Sequence, residues 1–177
     1  MNNKLISEEV KYDGPRFNVV QKKYVRDDGV EIVRDIVNPG EAAVILPINE
    51  NNEVVFERQL RESIGRISLE LPAGRVDPGE DAIHAAKREL EEETGLIAEN
   101  IEHMITLYPS TGYTSEKVHI FLARDFKEGH IKLDATEEII DLVKIPLDEC
   151  IEKVKNGEFE NASQIIAILL YNIKYMN

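Results

Sequence analysis

Acidic residues crowd the C-terminal half of one predicted helix. The turn Asp77–Gly79 precedes this helix, Asp81 is a suitable N-cap, and Gly95 ends it. The last turns of the helix carry four acids, Glu89, Glu91, Glu92 and Glu93. Helix carbonyls already present partial negative charge at this end, so acids there are unfavourable. Such a local conflict predicts a functional site.

A bound cation would resolve the conflict. Glu89, Glu92 and Glu93 share an arc of about 100° on the helix surface, so they can reach one ion. A cluster of carboxylate oxygens without Cys or His favours Mg²⁺ or Mn²⁺ over Zn²⁺. The alternative is a solvated acidic face without a ligand.

Residues 74–96 contain a longer pattern that includes these acids. The specified residues, in order, are Gly74, Glu80, Arg88, Glu89, Leu90, Glu92, Glu93, Gly95 and Leu96. This spacing resembles the Nudix box, with every specified position filled. The resemblance implies a Mg²⁺-dependent hydrolase that cleaves a diphosphate linked to another moiety.

The resemblance also implies roles for residues of the box. Glu89 and Glu93 would be the first metal ligands, Glu92 would be a third, and the carbonyl of Ala73 would add a main-chain oxygen. Arg88 would orient the acids without binding the metal.

A general base outside the box is also implied. Glu137 and Glu138 precede a predicted strand, and their loop resembles the late loop of the ADP-ribose pyrophosphatase subfamily, with Glu138 aligning best. Either carboxylate could act through a water. Glu116 is the reserve candidate.

Motifs outside the box resemble the same subfamily. They are Arg34–Val37, Gln59–Arg61, Leu69–Gly74 and Asn161–Ser163. By this resemblance Arg34 and Arg61 would bind phosphate or the terminal ribose through bidentate forks, and Glu70 would belong to the substrate site. Phe17, or a nearby tyrosine, is the candidate for stacking on adenine.

One position departs from the subfamily. Thr111 stands where the subfamily usually has proline, in the run Ser110–Gly112. This departure weakens the expectation of ADP-ribose and leaves other nucleoside diphosphate sugars open.

The predicted elements indicate an α+β protein. Strand-like segments bracket the acidic helix, and two helices follow near the C-terminus. This order agrees with the Nudix fold, an α/β/α sandwich with a mixed β-sheet. Two strands over residues 17–37 form an N-terminal β-hairpin extension that cannot bury much alone. We therefore expect a dimerisation segment over residues 1–40 and a Nudix hydrolase domain over 41–177, and the subfamily resemblance likewise implies a homodimer that shares its sites.

Composition excludes several classes of function. The net charge of −13 argues against nucleic acid as the main partner. No apolar run reaches the length of a membrane span, and the N-terminus has no signal-peptide pattern. The one cysteine, Cys150, excludes an internal disulfide and fits a reducing cytoplasm.

The sequence thus favours an enzyme that hydrolyses ADP-ribose or a related nucleoside diphosphate sugar to a nucleoside monophosphate and a sugar phosphate. The alternatives are a hydrolase of nucleoside triphosphates or dinucleoside polyphosphates, and a non-catalytic protein that senses such nucleotides.

Overall fold

The computed structural model describes residues 3–133 and 139–176. The chain divides into two compact units, one of Met1–Glu41 with Tyr108–Lys117 and one of Ala42–Leu107 with Val118–Asn177. The predicted base candidates Glu137 and Glu138 lie outside the described residues.

The first unit contains a three-stranded antiparallel sheet. Its strands are β1 (Asn3–Asp13), β2 (Asn18–Arg26) and β3 (Glu31–Asn38), in the order β1-β2-β3. The predicted hairpin is present, and Gly29 at φ 85° makes its turn. Strand β1 was not predicted. All eleven of its residues are exposed, so no alternation of buried and exposed positions marks it in the sequence.

Apart from Glu41 and Lys117, the first residues of two strands, the second unit carries the remaining strands and the three helices of the described residues. The strands are β4 (Glu41–Pro47), β5 (Glu53–Arg61), β6 (Arg66–Glu70), β7 (Ala73–Arg75), β8 (Leu96–Ala98), β9 (Ile101–Leu107), β10 (Lys117–Ala123), β11 (Phe126–Glu128) and β12 (Ile139–Pro146). The helices are α1 (Ala82–Thr94), α2 (Leu147–Lys155) and α3 (Ala162–Tyr175).

The strands form a mixed sheet of order β7-β4-β10-β9, an antiparallel sheet of order β12-β5-β6 and the pair β11-β8. Two main-chain hydrogen bonds bracket β4 and β10, from Lys117 N to Gly40 O and from Ile48 N to Ala123 O. The residue numbers increase in the same direction along the two strands, from Gly40 to Ile48 and from Lys117 to Ala123, so β4 and β10 run parallel. The other described pairs of this sheet are antiparallel.

Successive residues of β4 face two different cores. Ala43 and Ile45 join the α1 residues Ala85, Ala86 and Leu90. The alternate positions of β4 join a larger core that also holds the buried sides of α2 and α3. Helices on two sides of sheets give the predicted α+β sandwich, and α1 lies directly on the mixed sheet.

Cys150 belongs to the larger core. Its side chain is fully buried, and burial raises the pKa of its thiol to about 12. Such a thiol is unreactive at neutral pH.

Within residues 3–133 and 139–176, no helix combines the length and hydropathy needed to cross a membrane.

Candidate active site

Helix α1 presents its acids as the sequence predicts, but two of them are buried. The helix begins after Asp81, and Gly95 ends it in the left-handed conformation at φ 70°. Asp81 occupies the N-cap position without a capping hydrogen bond from its side chain. Glu89 is 6% exposed and Glu93 is 2% exposed, so these carboxylates do not form a solvated face.

Glu93 is tied to the strand that precedes the helix. The N–H of Ala73, at the start of β7, donates a hydrogen bond of 2.8 Å to Glu93 Oε2. This bond joins the last turn of α1 to the main chain at Ala73, the residue whose carbonyl is the predicted main-chain ligand.

Glu89 lies against Gly74. A Cβ atom at Gly74 would overlap the carboxyl group of Glu89. The missing side chain at Gly74 therefore creates the space in which this carboxylate lies. Local turn geometry does not require this glycine, because its φ lies outside the left-handed region.

Arg88 links three acids. Its Nη1 donates to Glu89 Oε1 at 2.6 Å and to Glu92 Oε2 at 3.0 Å, and its Nη2 donates to Glu80 Oε2 at 3.1 Å. A further bond joins Nη2 to the carbonyl of Arg75. Hydrogen bonds with Glu80 first, and then with Glu89 and Glu92, raise the pKa of Arg88, so this side chain stays charged.

Carboxylates are concentrated around Arg88. Its one guanidinium bonds to three of them, and the charge of the buried Glu93 carboxylate acts on Arg61. Within the described ranges, no three His, Cys, Asp or Glu side chains are grouped so that they could hold a metal by themselves. The two buried carboxylates, Glu89 and Glu93, nevertheless suit a hard divalent cation that also takes main-chain or water oxygens.

A second polar group lies on β5 and β6. Arg61 donates from Nε to Glu70 Oε1 at 3.0 Å and from Nη2 to Glu70 Oε2 at 2.7 Å. Burial by itself would raise the pKa of Glu70, but the hydrogen bonds and charge of Arg61 outweigh it and lower the pKa. The two predicted substrate residues thus form one bidentate ion pair.

The other predicted residues belong to the first unit. Arg34 lies on β3, and its Nη1 donates to the carbonyl of Val33 at 2.9 Å. Phe17 packs against Tyr12 with ring centroids 5.5 Å apart. Burial raises the pKa of the reserve candidate Glu116.

Sequence reasoning missed Glu57. This residue lies on β5 with 0% exposure, close enough to Arg61 for its charge to raise the pKa of that arginine. The sequence feature that could have indicated Glu57 is the alternation of Glu57, Gln59 and Arg61, because every second residue of a strand lies on the same face.

Comparison with known proteins places these features in a family. The NUDIX domain model matches residues 38–166, which contain α1 and both polar groups. The chain belongs to the Nudix family. Its predicted sandwich is the Nudix fold, and enzymes of this family generally use divalent metal ions.

Three similar proteins narrow the assignment. A methanol dehydrogenase activator of Bacillus methanolicus is 38% identical over 140 residues, which cover 78% of this chain and 73% of the relative. An ADP-ribose pyrophosphatase of Bacillus subtilis (strain 168) is 27% identical over 175 residues, which cover 98% of this chain and 95% of the relative. A crystal structure of an ADP compounds hydrolase superposes with a TM-score of 0.87 at 25% identity, covering 98% of this chain and 94% of that one. The chain is a Nudix hydrolase of the ADP-ribose pyrophosphatase type, as the box and the outlying motifs predicted.

Proposed function

We propose that this Nudix hydrolase cleaves the diphosphate bond of ADP-ribose, or of a related nucleoside diphosphate sugar, with Mg²⁺. The products would be a nucleoside monophosphate, AMP in the case of ADP-ribose, and a sugar phosphate. The observation that carries the proposal is the pair of buried carboxylates, Glu89 and Glu93, of which Glu89 lies in the space left by Gly74.

In this proposal Glu89, Glu93 and Glu92 hold Mg²⁺ together with the carbonyl of Ala73. Mn²⁺ would satisfy the same oxygen ligands. The bound ion would neutralise phosphate charge and lower the pKa of a bound water. Arg88 keeps the acids in place by its hydrogen bonds, and it therefore acts on the ligands and not on the substrate.

Other side chains have proposed roles in binding and proton transfer. Arg61 would bind a phosphate through the edge that Glu70 leaves free, and Arg34 would bind phosphate or ribose. Phe17 would stack on the base. Glu138, or its neighbour Glu137, would take the proton of the attacking water.

We also propose a homodimer formed through residues 1–40, with residues 41–177 as the hydrolase domain. Large apolar side chains of the N-terminal strands and their connecting turns are exposed in the single chain: Leu5, Ile6, Val10, Tyr12, Phe17, Val30 and Val33. Exposed apolar groups of this extent support a protein interface.

A reducing cytoplasm as the compartment is supported by the free thiol of Cys150.

A panel of substrates tests the reaction. The purified protein is incubated with Mg²⁺ and ADP-ribose, nucleotide sugars, dinucleoside polyphosphates or nucleoside triphosphates, and the products are separated by chromatography. We expect AMP from ADP-ribose, or the corresponding monophosphate from a nucleotide sugar. If triphosphates or dinucleoside polyphosphates are turned over in preference, they are the substrates in place of nucleoside diphosphate sugars. If no compound is turned over, the proposed hydrolytic activity is refuted.

A second candidate function comes from the methanol dehydrogenase activator. Its 38% identity over most of this chain supports a related role in stimulating a dehydrogenase. Addition of the protein to a methanol dehydrogenase assay, with Mg²⁺ present, distinguishes the two functions. Stimulation that survives the Glu93→Gln substitution would favour an effect without hydrolysis.

A further inference from the structure

Glu57 is a charged residue whose side chain is wholly removed from solvent. It lies at the middle of β5 with 0% exposure, and its register partners are Glu70 on β6 and Leu142 on β12. Burying a carboxylate is unfavourable unless charges or hydrogen bonds compensate it. Because an apolar residue would fill this position at lower cost, the carboxylate requires an explanation.

The register places two acids side by side. Directly opposite residues of an antiparallel pair point to the same face, with Cβ atoms about 5 Å apart. Glu57 and Glu70 are such a pair, and Glu70 is only 7% exposed. Like charges in this arrangement repel, and the effect is larger away from water. A cation close to both relieves this repulsion.

Arg61 supplies that cation. It lies on the same face of β5 as Glu57, and its Nε and Nη2 form the bidentate pair with Glu70. Hydrogen bonding to Glu70 first, and then the charges of Glu57 and Glu93, raise the pKa of Arg61. The guanidinium is thus attracted by Glu70 through hydrogen bonds and by Glu57 through charge.

One edge of Arg61 is left over. Among the described residues, none accepts a hydrogen bond from its Nη1. The buried Oε1 of Gln59, which shares this face of β5, likewise has no hydrogen-bond partner in the described part of the chain. This face of β5 thus offers a ligand one donor, Arg61 Nη1, and one acceptor, Gln59 Oε1.

We propose that Glu57 is a positioning residue, whose carboxylate acts with Glu70 to hold the guanidinium of Arg61 so that Nη1 faces a substrate phosphate. The inference rests on the proposed function, because it takes Arg61 as a phosphate ligand. Glu70 determines the plane of the guanidinium through its two hydrogen bonds, and the charge of Glu57 adds a second attraction on the same face of β5. A preorganised arginine loses less conformational entropy when the phosphate binds.

A double-mutant cycle tests this role. Glu57→Gln keeps the shape of the side chain and removes its charge, and it should raise KM for ADP-ribose about tenfold with kcat within about threefold. Arg61→Ala should raise KM further. The double variant should match Arg61→Ala, because Glu57 acts through that residue. Additive effects of the two substitutions on KM would overturn the proposal.

Matched variants separate positioning from folding. Glu57→Asp keeps the charge, so its KM for ADP-ribose should lie between the values of the wild type and of Glu57→Gln. Arg58→Gln removes the exposed pair with Asp141 on the opposite face of the same strand, and it should leave KM unchanged. Thermal melts of all variants identify any that fail to fold.

Side-chain NMR supplies a readout that does not require turnover. The Nε–H of Arg61 should exchange with solvent faster in Glu57→Gln than in the wild type, since the guanidinium is less restrained. Unchanged exchange would refute the positioning role even if the enzyme is inactive on every substrate. Absence of turnover in the wild type would refute the proposed function separately.

Discussion

The carboxyl group of Glu89 occupies the space that a side chain at Gly74 would fill. Gly74 lies on β7 and Glu89 on α1, so the relationship joins the two elements that carry the predicted metal ligands. A pattern that specifies glycine at one end and glutamate fifteen positions later therefore has a steric cause in this chain. The glycine is needed because the buried acid lies against its Cα.

Gly74→Ala should impair catalysis more than folding. The added Cβ displaces the carboxylate of Glu89, and a misplacement of about 1 Å can reduce kcat by about 100-fold. Steady-state kinetics over a range of Mg²⁺ concentrations measure the loss. Combining Gly74→Ala with Glu89→Asp, whose side chain is shorter by one methylene, should recover part of it. A kcat within twofold of the wild type would contradict the steric argument.

Glu93→Gln should abolish most activity while the fold survives. Glutamine can still accept the hydrogen bond from the N–H of Ala73, but it loses the charge that binds the cation. Substitution near a metal commonly costs 10–100-fold, so we expect a loss of at least about 100-fold. Glu91→Gln is the control on the same helix, because Glu91 pairs with Lys132 on the surface. Wild-type turnover by Glu93→Gln would show that the metal assignment is wrong.

Glu138→Gln should lower kcat by about 100-fold or more if this residue is the general base. The prediction rests on the subfamily resemblance, since residue 138 lies outside the described residues. A pH–rate profile should lose its acidic limb in this variant, because that limb reports protonation of the base. A decrease of less than threefold would move the role to Glu137 or Glu116, which the same substitution can test.

Helices were easier to predict than strands in this chain. Pro146 and Asn156–Gly157 delimit α2, and the side chain of Asn161 caps α3 by accepting from two backbone N–H groups, so local chemistry determines both. The burial of Glu57 has no such local cause, because it depends on the tertiary packing around β5. The ion pair of Arg61 with Glu70 likewise depends on strand pairing, and the sequence indicated only that both residues belong to the substrate site.

The Arg61–Glu70 pair should make stability depend on pH. Since the pKa of Glu70 is lowered in the folded protein, its contribution is present above the unfolded value near 4.5 and is lost as pH falls through the folded value. Urea unfolding between pH 7 and pH 3 should therefore show declining stability. Glu70→Gln should cost about 1.5–3 kcal/mol at pH 7 and weaken this decline. Glu160→Gln, in an exposed pair with Arg66, serves as the control. An equal decline in Glu70→Gln and the wild type would contradict the prediction.

Sedimentation should show a dimer at micromolar concentration. Val10 on β1 is 58% exposed and Val33 on β3 is 48% exposed in the single chain, and burial of such side chains in a partner would stabilise the dimer. Val10→Asp should shift the equilibrium towards monomer, because a carboxylate is unfavourable in an apolar interface. Ile173→Asp is the control, since Ile173 is 64% exposed on α3 outside the N-terminal strands. If the sites are shared, the monomeric variant should also lose turnover of ADP-ribose at low protein concentration. A wild-type monomer with full activity would refute the shared-site proposal.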